Sequence, residues 1–382
     1  MGETALQTQE LASLKAKVGF SESPADVLMR AVPAGLVASE WDDAKRLETA
    51  SQFWSTNKGE ARDFLMSRPV KRASAFVTHA WSPPPDWHAI MGKDCVYGDV
   101  KATQLATAAI DMKEDGMCED DWVNLPLWID KACIPQRNST WMPMCLKLIE
   151  DFVRRCDCMT VLLSWHYFSR LWCVYEWALF LVSHEPTNVR VHAEFMMRSS
   201  SLPLYMESVR SFEVRNAQCK HEGDRQLLEL KIAEYYRSTQ AFQKFVKGTA
   251  IALLAFSGAR RAGRGVHDYI SEFKPWIELA EEQGFSELAA ALSTAEPEEW
   301  RNAALGSPEP KTPRGGSFAS WKRRYHAAMD MWFEFEVVPI LTKIKRECVN
   351  ETALRISSSS SLAASSRRSR TWSGGGAGGH SL

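Results

Sequence analysis

The sequence lacks an excess of charge of either sign. Its 382 residues include 46 Lys and Arg and 47 Asp and Glu, so the formal net charge is −1. This balance argues against a nucleic-acid-binding protein driven by bulk charge and against an acidic, solvating chain. Apolar residues make up 45% of the chain, which is enough for a substantial core. We therefore expect two or three domains, or one domain with large extensions, and no nucleic-acid partner.

The sequence also lacks the marks of secretion, metal binding and membrane insertion. Its nine cysteines form no CxxC pair and no His/Cys cluster at zinc spacing, and we interpret them as reduced thiols. The N-terminus has no basic-then-apolar leader. The longest apolar runs, 171–183 and 248–259, are too short to cross a bilayer. We expect a cytoplasmic protein with no membrane span and no metal site.

Several catalytic signatures are missing. The sequence contains no GxGxxG after a strand, no GxxxxGK[ST], no HExxH and no GxSxG. Their absence weighs against dinucleotide oxidoreductases, P-loop nucleotide hydrolases, zinc proteases of the HExxH type and α/β-hydrolases.

What the sequence does contain is an alternation of strands and helices between residues 72 and 193. Strands are predicted over 73–80, 125–130, 158–164 and 188–192, and helices over 101–112, 144–155 and 169–183. Ser169 is the predicted N-cap of the last of these helices. This order predicts a flavodoxin-like parallel sheet with helices on both faces.

Helical patterns flank this segment on both sides. The predicted organisation is an N-terminal helical extension over 1–71, an α/β domain over 72–195, a helical region over 196–305, a Pro/Gly linker over 306–316, a C-terminal helix over 317–352 and a disordered Ser/Gly-rich tail over 353–382.

One acid stands out in the helix that follows the third strand. Between Leu171 and Ser183 the single charged residue is Glu176, in a helix otherwise suited to burial. Burying a lone carboxylate is costly unless it is paired or protonated. Trp172, one helical turn earlier, offers an aromatic plane that suits a planar cationic ligand. Glu176 is thus either a functional acid or part of a structural salt bridge with a base such as Arg170.

The strand ends point to the same place. In an open α/β sheet, ligands bind beyond the carboxyl ends of the strands. The residues at those predicted ends are His79 and Trp81, Asp130 and Lys131, and Ser164 and Trp165. Glu176 is expected near the same edge.

The block Ser164-x-x-Tyr167-x-Ser169-x-x-Trp172-Cys173-x-x-Glu176 resembles, at the same spacing, a signature of Toll/interleukin-1 receptor (TIR) domains. AFVTHAW resembles the first TIR strand, and LPLWIDKACIPQ resembles the second strand entering the BB loop. The resemblance covers residues 72–193. The whole chain is also similar to TIR-like proteins of protists that carry WIDKxCIPQ and RLWCVYE between helical flanks.

The resemblance implies two kinds of activity. Many TIR domains are modules that self-associate or recruit other TIR domains. Others hydrolyse NAD, and in these the glutamate of the Trp-Cys-x-x-Glu motif, here Glu176, is essential. NAD would then be a substrate, and no cofactor is implied. The chain departs from plant TIR domains at His79-Ala80-Trp81, where those commonly have an Arg-Gly pair.

We therefore expect Glu176 to be catalytic in an NAD glycohydrolase that is active when self-associated. The expected substrate-binding residues are His79, Trp81, Asp130, Lys131, Ser164, Trp165, Arg170 and Trp172. Simpler interpretations stay open: Glu176 paired with Arg170 or Lys131, His79 in the core, Asp130 as a cap, Trp172 as a packing residue. The alternative for the whole chain is a non-enzymatic assembly or adaptor module acting through the loop 131–141.

Overall fold

The computed structural model describes residues 23–56, 58–116, 121–193, 201–262, 273–295 and 325–354, and a few positions before residue 23. Six strands form one sheet in the order β2-β1-β4-β3-β5-β6. The strands are β1 Arg30–Pro33, β2 Arg68–Pro69, β3 Ala73–His79, β4 Pro126–Ile129, β5 Cys156–Leu162 and β6 Val189–His192. The predicted α/β fold is confirmed.

Strands β3 to β6 pair in parallel. Their order along the sheet is β4-β3-β5-β6. This is the flavodoxin-like order, and the connections reverse direction between β3 and β5. The residues of β3 and β5 are almost all buried, as expected for strands covered on both faces.

The predicted boundary at residue 72 is wrong, because the N-terminal segment takes part in the sheet. Strand β1 pairs antiparallel with β4, and β2 pairs antiparallel with β1. Both strands are short and contain proline, which donates no hydrogen bond to a ladder; in β1 it is the last residue, and β2 is the edge strand. Their length and composition hide them from a search for apolar alternation.

The helices cover the sheet and extend beyond it. They are α1 Pro24–Leu28, α2 Ala44–Trp54, α3 Ala61–Leu65, α4 Trp87–Met91, α5 Tyr97–Glu114, α6 Asp130–Cys133, α7 Trp141–Lys147, α8 Ile149–Arg154, α9 Leu171–Ser183, α10 Leu202–Arg210, α11 Glu222–Tyr235, α12 Thr239–Ala262, α13 Phe273–Glu282, α14 Ser286–Ser293 and α15 Val338–Cys348. A helix over 325–332 leads through the π-helical turn Phe333–Val337 into α15. The short 3₁₀ segments are Ala34–Leu36, Trp122–Asn124, Tyr167–Ser169 and Pro186–Asn188.

Two local predictions need correction. The helix expected over 144–155 is divided at Leu148 into α7 and α8. Ser169 does not cap α9, because its hydroxyl donates to the backbone oxygen of His166 at 2.7 Å, and Arg170 occupies the N-cap position.

The C-terminal helices pack on the α/β unit. Helix α9 contacts α8, α11 and α12, and α12 also contacts β6 and α15. Buried residues from all these elements belong to one hydrophobic core. The predicted linker over 306–316 and the part of the predicted tail over 355–382 lie outside the described residues. No helix in the described part of the chain has both the length and the apolar character that crossing a bilayer requires.

Candidate active site

Helix α9 places Glu176 against the end of strand β3. The helix is buried along nearly its whole length, with only Trp172 and Ser183 partly exposed, because its other side chains contact the sheet and the neighbouring helices. Glu176 is 8% exposed and lies 2.6 Å from the hydroxyl of Thr78, measured from Oε2 to Oγ1. Because α9 follows β5, this contact joins β3 and β5. The acid therefore lies where the sheet connections reverse direction, the usual ligand position in this fold.

A chain of hydrogen-bonding groups continues from Glu176 into the core. Thr78 Oγ1 lies 2.9 Å from the Tyr167 hydroxyl oxygen, and Tyr167 donates to the backbone oxygen of Cys173 at 2.9 Å. Thr78 and Tyr167 are at most 1% exposed. The chain fixes one side of the Glu176 carboxyl and leaves Oε1 without an assigned partner among the described residues.

The environment of Glu176 favours its neutral form. Burial raises the pKa of this carboxyl to about 8, the negative charge of Asp130 adds to the increase, and the Thr78 hydroxyl opposes it. Among the described residues, no Lys, Arg or His nitrogen lies within 4.0 Å of the Glu176 carboxylate. The salt-bridge interpretation with Arg170 or Lys131 is therefore wrong.

Asp130 provides a second carboxyl at this edge. It begins α6 directly after β4, and its side chain is 24% exposed. The Trp81 indole donates to Asp130 Oδ2 at 2.7 Å, and His79 Nε2 lies 3.6 Å from Oδ1. The rings of His79 and Trp81 stack with their centroids 6.5 Å apart. Three predicted site residues thus form one group beside Glu176.

Lys101 is a site residue that the sequence-based prediction missed. Its ammonium lies 2.6 Å from Ala80 O and 3.1 Å from His79 Nδ1, and it faces the rings of Tyr97 and Trp54 at 4.4 and 5.1 Å. Burial lowers the pKa of Lys101 well below its ordinary value.

Lys101 also acts on His79. The Lys101 ammonium at 3.1 Å and Ala80 O at 3.2 Å both lie at Nδ1 of this ring, while Nε2 faces Asp130 Oδ1 at 3.6 Å. Burial, followed by the charge of Lys101, lowers the pKa of His79 and keeps the ring neutral. The signal for Lys101 was present in the sequence, because it is the single charge on the face that includes Leu105, Ala108 and Met112.

Comparison with known proteins identifies no relative of this chain. No family model, no curated protein and no solved structure matches it.

Lys131, predicted to contact substrate, is directed into the N-terminal region instead. Its side chain is 2% exposed, lies 3.8 Å from the Asp63 carboxylate and donates to the backbone oxygens of Phe53 and Thr56. These oxygens lie at the C-terminal end of α2, where a cation is favourable. The amine is fully engaged, and the structure does not support its predicted role.

Arg170 and Trp172, at the start of α9, face the C-terminal part of the chain rather than Glu176. The Trp172 indole donates to Asp224 of α11 at 3.3 Å, and its ring packs edge-on against Tyr175. Arg170 donates to the Gln218 side chain at 3.2 Å. The expected substrate contacts of Trp172 and Arg170 thus have no counterpart in the positions these side chains take.

Ser164 and Trp165 form a closed wall beside the site. Ser164 is fully buried, with its hydroxyl 3.0 Å from His166 Nδ1. Trp165 is 5% exposed, stacks on Trp87 at 5.6 Å and donates to Asp86 at 2.9 Å. These contacts join the loop after β5 to the loop after β3, so both residues shape the edge without opening to it.

The edge therefore combines two interacting carboxyls with a neutral imidazole and an indole. No group of three His, Cys, Asp or Glu side chains that could hold a metal ion occurs in the described ranges. All eight cysteines that the structure describes are free thiols. Such an arrangement is able to stabilise positive charge that develops on a ligand, and to exchange a proton with it.

Proposed function

We propose that this chain is a TIR-like NAD glycohydrolase of the cytoplasm, which hydrolyses the nicotinamide–ribose bond in intracellular signalling or defence. The observation that carries the proposal is Glu176. It is a buried acid at the reversal point of a flavodoxin-like sheet, with no cationic partner among the described residues. A carboxyl placed there for stability alone would be expected to have such a partner.

The chemistry of NAD suits a carboxylate without a strong general acid. Nicotinamide is cationic in NAD and leaves as a neutral molecule, so the leaving group needs no proton, in contrast to ordinary glycoside hydrolysis. The ribose passes through a state with oxocarbenium character, which a nearby carboxylate stabilises. The interaction is stronger in a site that excludes water than in bulk solvent.

In this proposal Asp130 is the second functional carboxyl. It is the more exposed of the two, and the Trp81 indole and His79 hold it in place. It orients the attacking water or a ribose hydroxyl, while Trp81 provides an aromatic face at the opening. Its negative charge also raises the pKa of Glu176.

The first test follows nicotinamide release from NAD by the full chain and by Glu176→Gln, which preserves the shape of the side chain. We expect turnover by the unaltered protein and a loss of at least about a hundredfold in the variant. Glu150→Gln is the matched control, because it also removes a buried carboxyl beside α9, but one that is bound by Tyr175 and Lys231. Equal activity of Glu176→Gln and the unaltered protein would contradict the proposed mechanism.

Self-association is the second part of the proposal. The loop after α6 exposes Arg137, Ser139 and Thr140, which are available to a second copy of the chain. We expect turnover per molecule to rise with protein concentration, and the rise to disappear in Ser139→Arg. Assembly that depends on this loop, without NAD turnover at any concentration, would instead support a non-enzymatic assembly module.

A further inference from the structure

We infer that Thr78 and Tyr167 are positioning residues that set the protonation state of Glu176 through a shared hydrogen-bond chain. The inference rests on the proposed function only in giving Glu176 a catalytic role. The geometry of the hydrogen-bond chain does not depend on any substrate.

The number of protons along this hydrogen-bond chain depends on the state of Glu176. Three contacts connect Glu176, Thr78, Tyr167 and the backbone oxygen of Cys173, at 2.6, 2.9 and 2.9 Å. Each hydroxyl contributes one proton, and the carbonyl contributes none. Two hydroxyls therefore supply two protons for three contacts. The third proton is present only when Glu176 is a carboxylic acid.

With Glu176 protonated, every contact is a hydrogen bond. The acid donates to Thr78, Thr78 donates to Tyr167, and Tyr167 donates to the Cys173 carbonyl. With Glu176 ionised, Thr78 donates to the carboxylate, and Tyr167 has a single proton for two acceptors. One of the three hydrogen bonds is then lost. Thr78 and Tyr167 are almost fully buried, so bulk water does not replace it.

The other ionisable groups around Glu176 do not alter this count. Asp130 repels the carboxylate, and Cys173, on the preceding turn of α9, directs its thiol to His79 O at 3.4 Å. The elements packed against α9 direct their ionisable groups to other partners: Glu150 of α8 to Tyr175 and Lys231, Asp224 of α11 to Trp172, and His79 of β3 to Lys101 and Asp130.

Two substitutions are expected to lower the pKa of Glu176. Tyr167→Phe removes the contact that ionisation sacrifices, so the pKa falls by about one unit. The Cys173 carbonyl loses its donor in both forms, which leaves the titration unaffected by that loss. Thr78→Val removes two contacts of the neutral form and one contact of the ionised form, so the same count predicts that the pKa falls as well. Thr78→Ser retains the hydroxyl and keeps the pKa of the unaltered protein.

The experiment titrates the protein without NAD. The carbonyl stretch of a protonated carboxyl is followed by infrared difference spectroscopy against pH, and the Glu176 signal is identified by its absence in Glu176→Gln. Tyr175→Phe is the control, because it removes a buried hydroxyl of α9 that binds Glu150 and lies outside the hydrogen-bond chain. A merely structural role would loosen the site and lower the pKa of Glu176 in this variant as well. A rise in either Tyr167→Phe or Thr78→Val overturns the inference, as do the absence of any shift and an equal shift in Tyr175→Phe.

The design separates this inference from the proposed function. If Tyr167→Phe does not fold, the comparison of Thr78→Val with Thr78→Ser decides alone, because equal titration of these two variants also overturns the inference. A lowered pKa in Tyr167→Phe and Thr78→Val, in a protein that never turns over NAD, would support the inference while the proposed function fails.

Discussion

The buried pair of Lys131 and Asp63 yields the sharpest prediction about stability. Both side chains are 2% exposed, with nitrogen and oxygen 3.8 Å apart. The lysine also donates to the backbone oxygens of Phe53, in α2, and of Thr56, just after it, and Asp63 accepts the Glu60 backbone N–H at the start of α3. The pair therefore connects α2 and α3 to α6, next to Asp130.

Replacing Lys131 by Met keeps the length of the side chain and removes its charge and hydrogen bonds. Removing one member of a buried ion pair typically costs 3–5 kcal/mol, because the other charge is left uncompensated. Burial already raises the pKa of Asp63, so this acid takes up a proton in the variant and limits the loss. We expect the free energy of unfolding to decrease by about 3 kcal/mol, at the lower end of that range.

Urea denaturation of the full chain measures this decrease. Lys113→Met is the control, because Lys113 pairs at 3.7 Å with Asp121 while both side chains are well exposed, and it should change stability little. Unchanged stability of Lys131→Met together with a large increase in KM for NAD would refute the structural assignment. That result would restore the substrate-binding role suggested by the sequence.

The remaining predictions concern activity. The mechanism needs the carboxylate form of Glu176, and burial raises the pKa of this group to about 8. We therefore expect kcat/KM for NAD to rise about tenfold per pH unit below that value and to level off above it. A pH profile of kcat/KM that stays flat from roughly pH 6 to 9 would contradict this. Trp81→Phe removes the indole donor to Asp130 and should lower kcat/KM, whereas Trp172→Phe breaks only the contact with Asp224 and should retain it. Steady-state assays of both variants test this. A kcat/KM that falls in Trp172→Phe and not in Trp81→Phe would place the aromatic residue of the site on α9.

The parallel part of the fold was predictable because its strands carry nearly uninterrupted apolar runs. Strands β3 and β5 are predicted within two residues at each end. Strand β1 was not predictable from such a signal, since RAVP is four residues long and owes its place to pairing with β4. Short strands of this kind are fixed by tertiary partners rather than by local pattern.

The site was predictable to the extent that topology alone fixes it. His79, Trp81 and Asp130 follow neighbouring parallel strands, so any flavodoxin-like sheet brings them to one edge. The directions of Lys131 and Trp172 depend on Asp63 and Asp224, which belong to regions outside the predicted α/β domain. No pattern within 72–195 contains that information. Lys101 could have been recognised by the reasoning that identified Glu176, a lone charge on a buried helical face.

A protonated Glu176 in the empty site has two consequences. It removes the cost of a buried charge, and it makes the proposed reaction selective for a cationic substrate. The protonated carboxyl satisfies the hydrogen-bond chain and avoids an uncompensated charge beside Asp130. A ligand that brings a positive charge to the edge reverses this balance, because it favours the carboxylate by direct attraction. The carboxylate then forms where cationic nicotinamide is bound and not in the empty site. A neutral ligand of the same shape would leave Glu176 protonated, so the same buried chain both protects the fold and restricts the reaction to a cationic substrate.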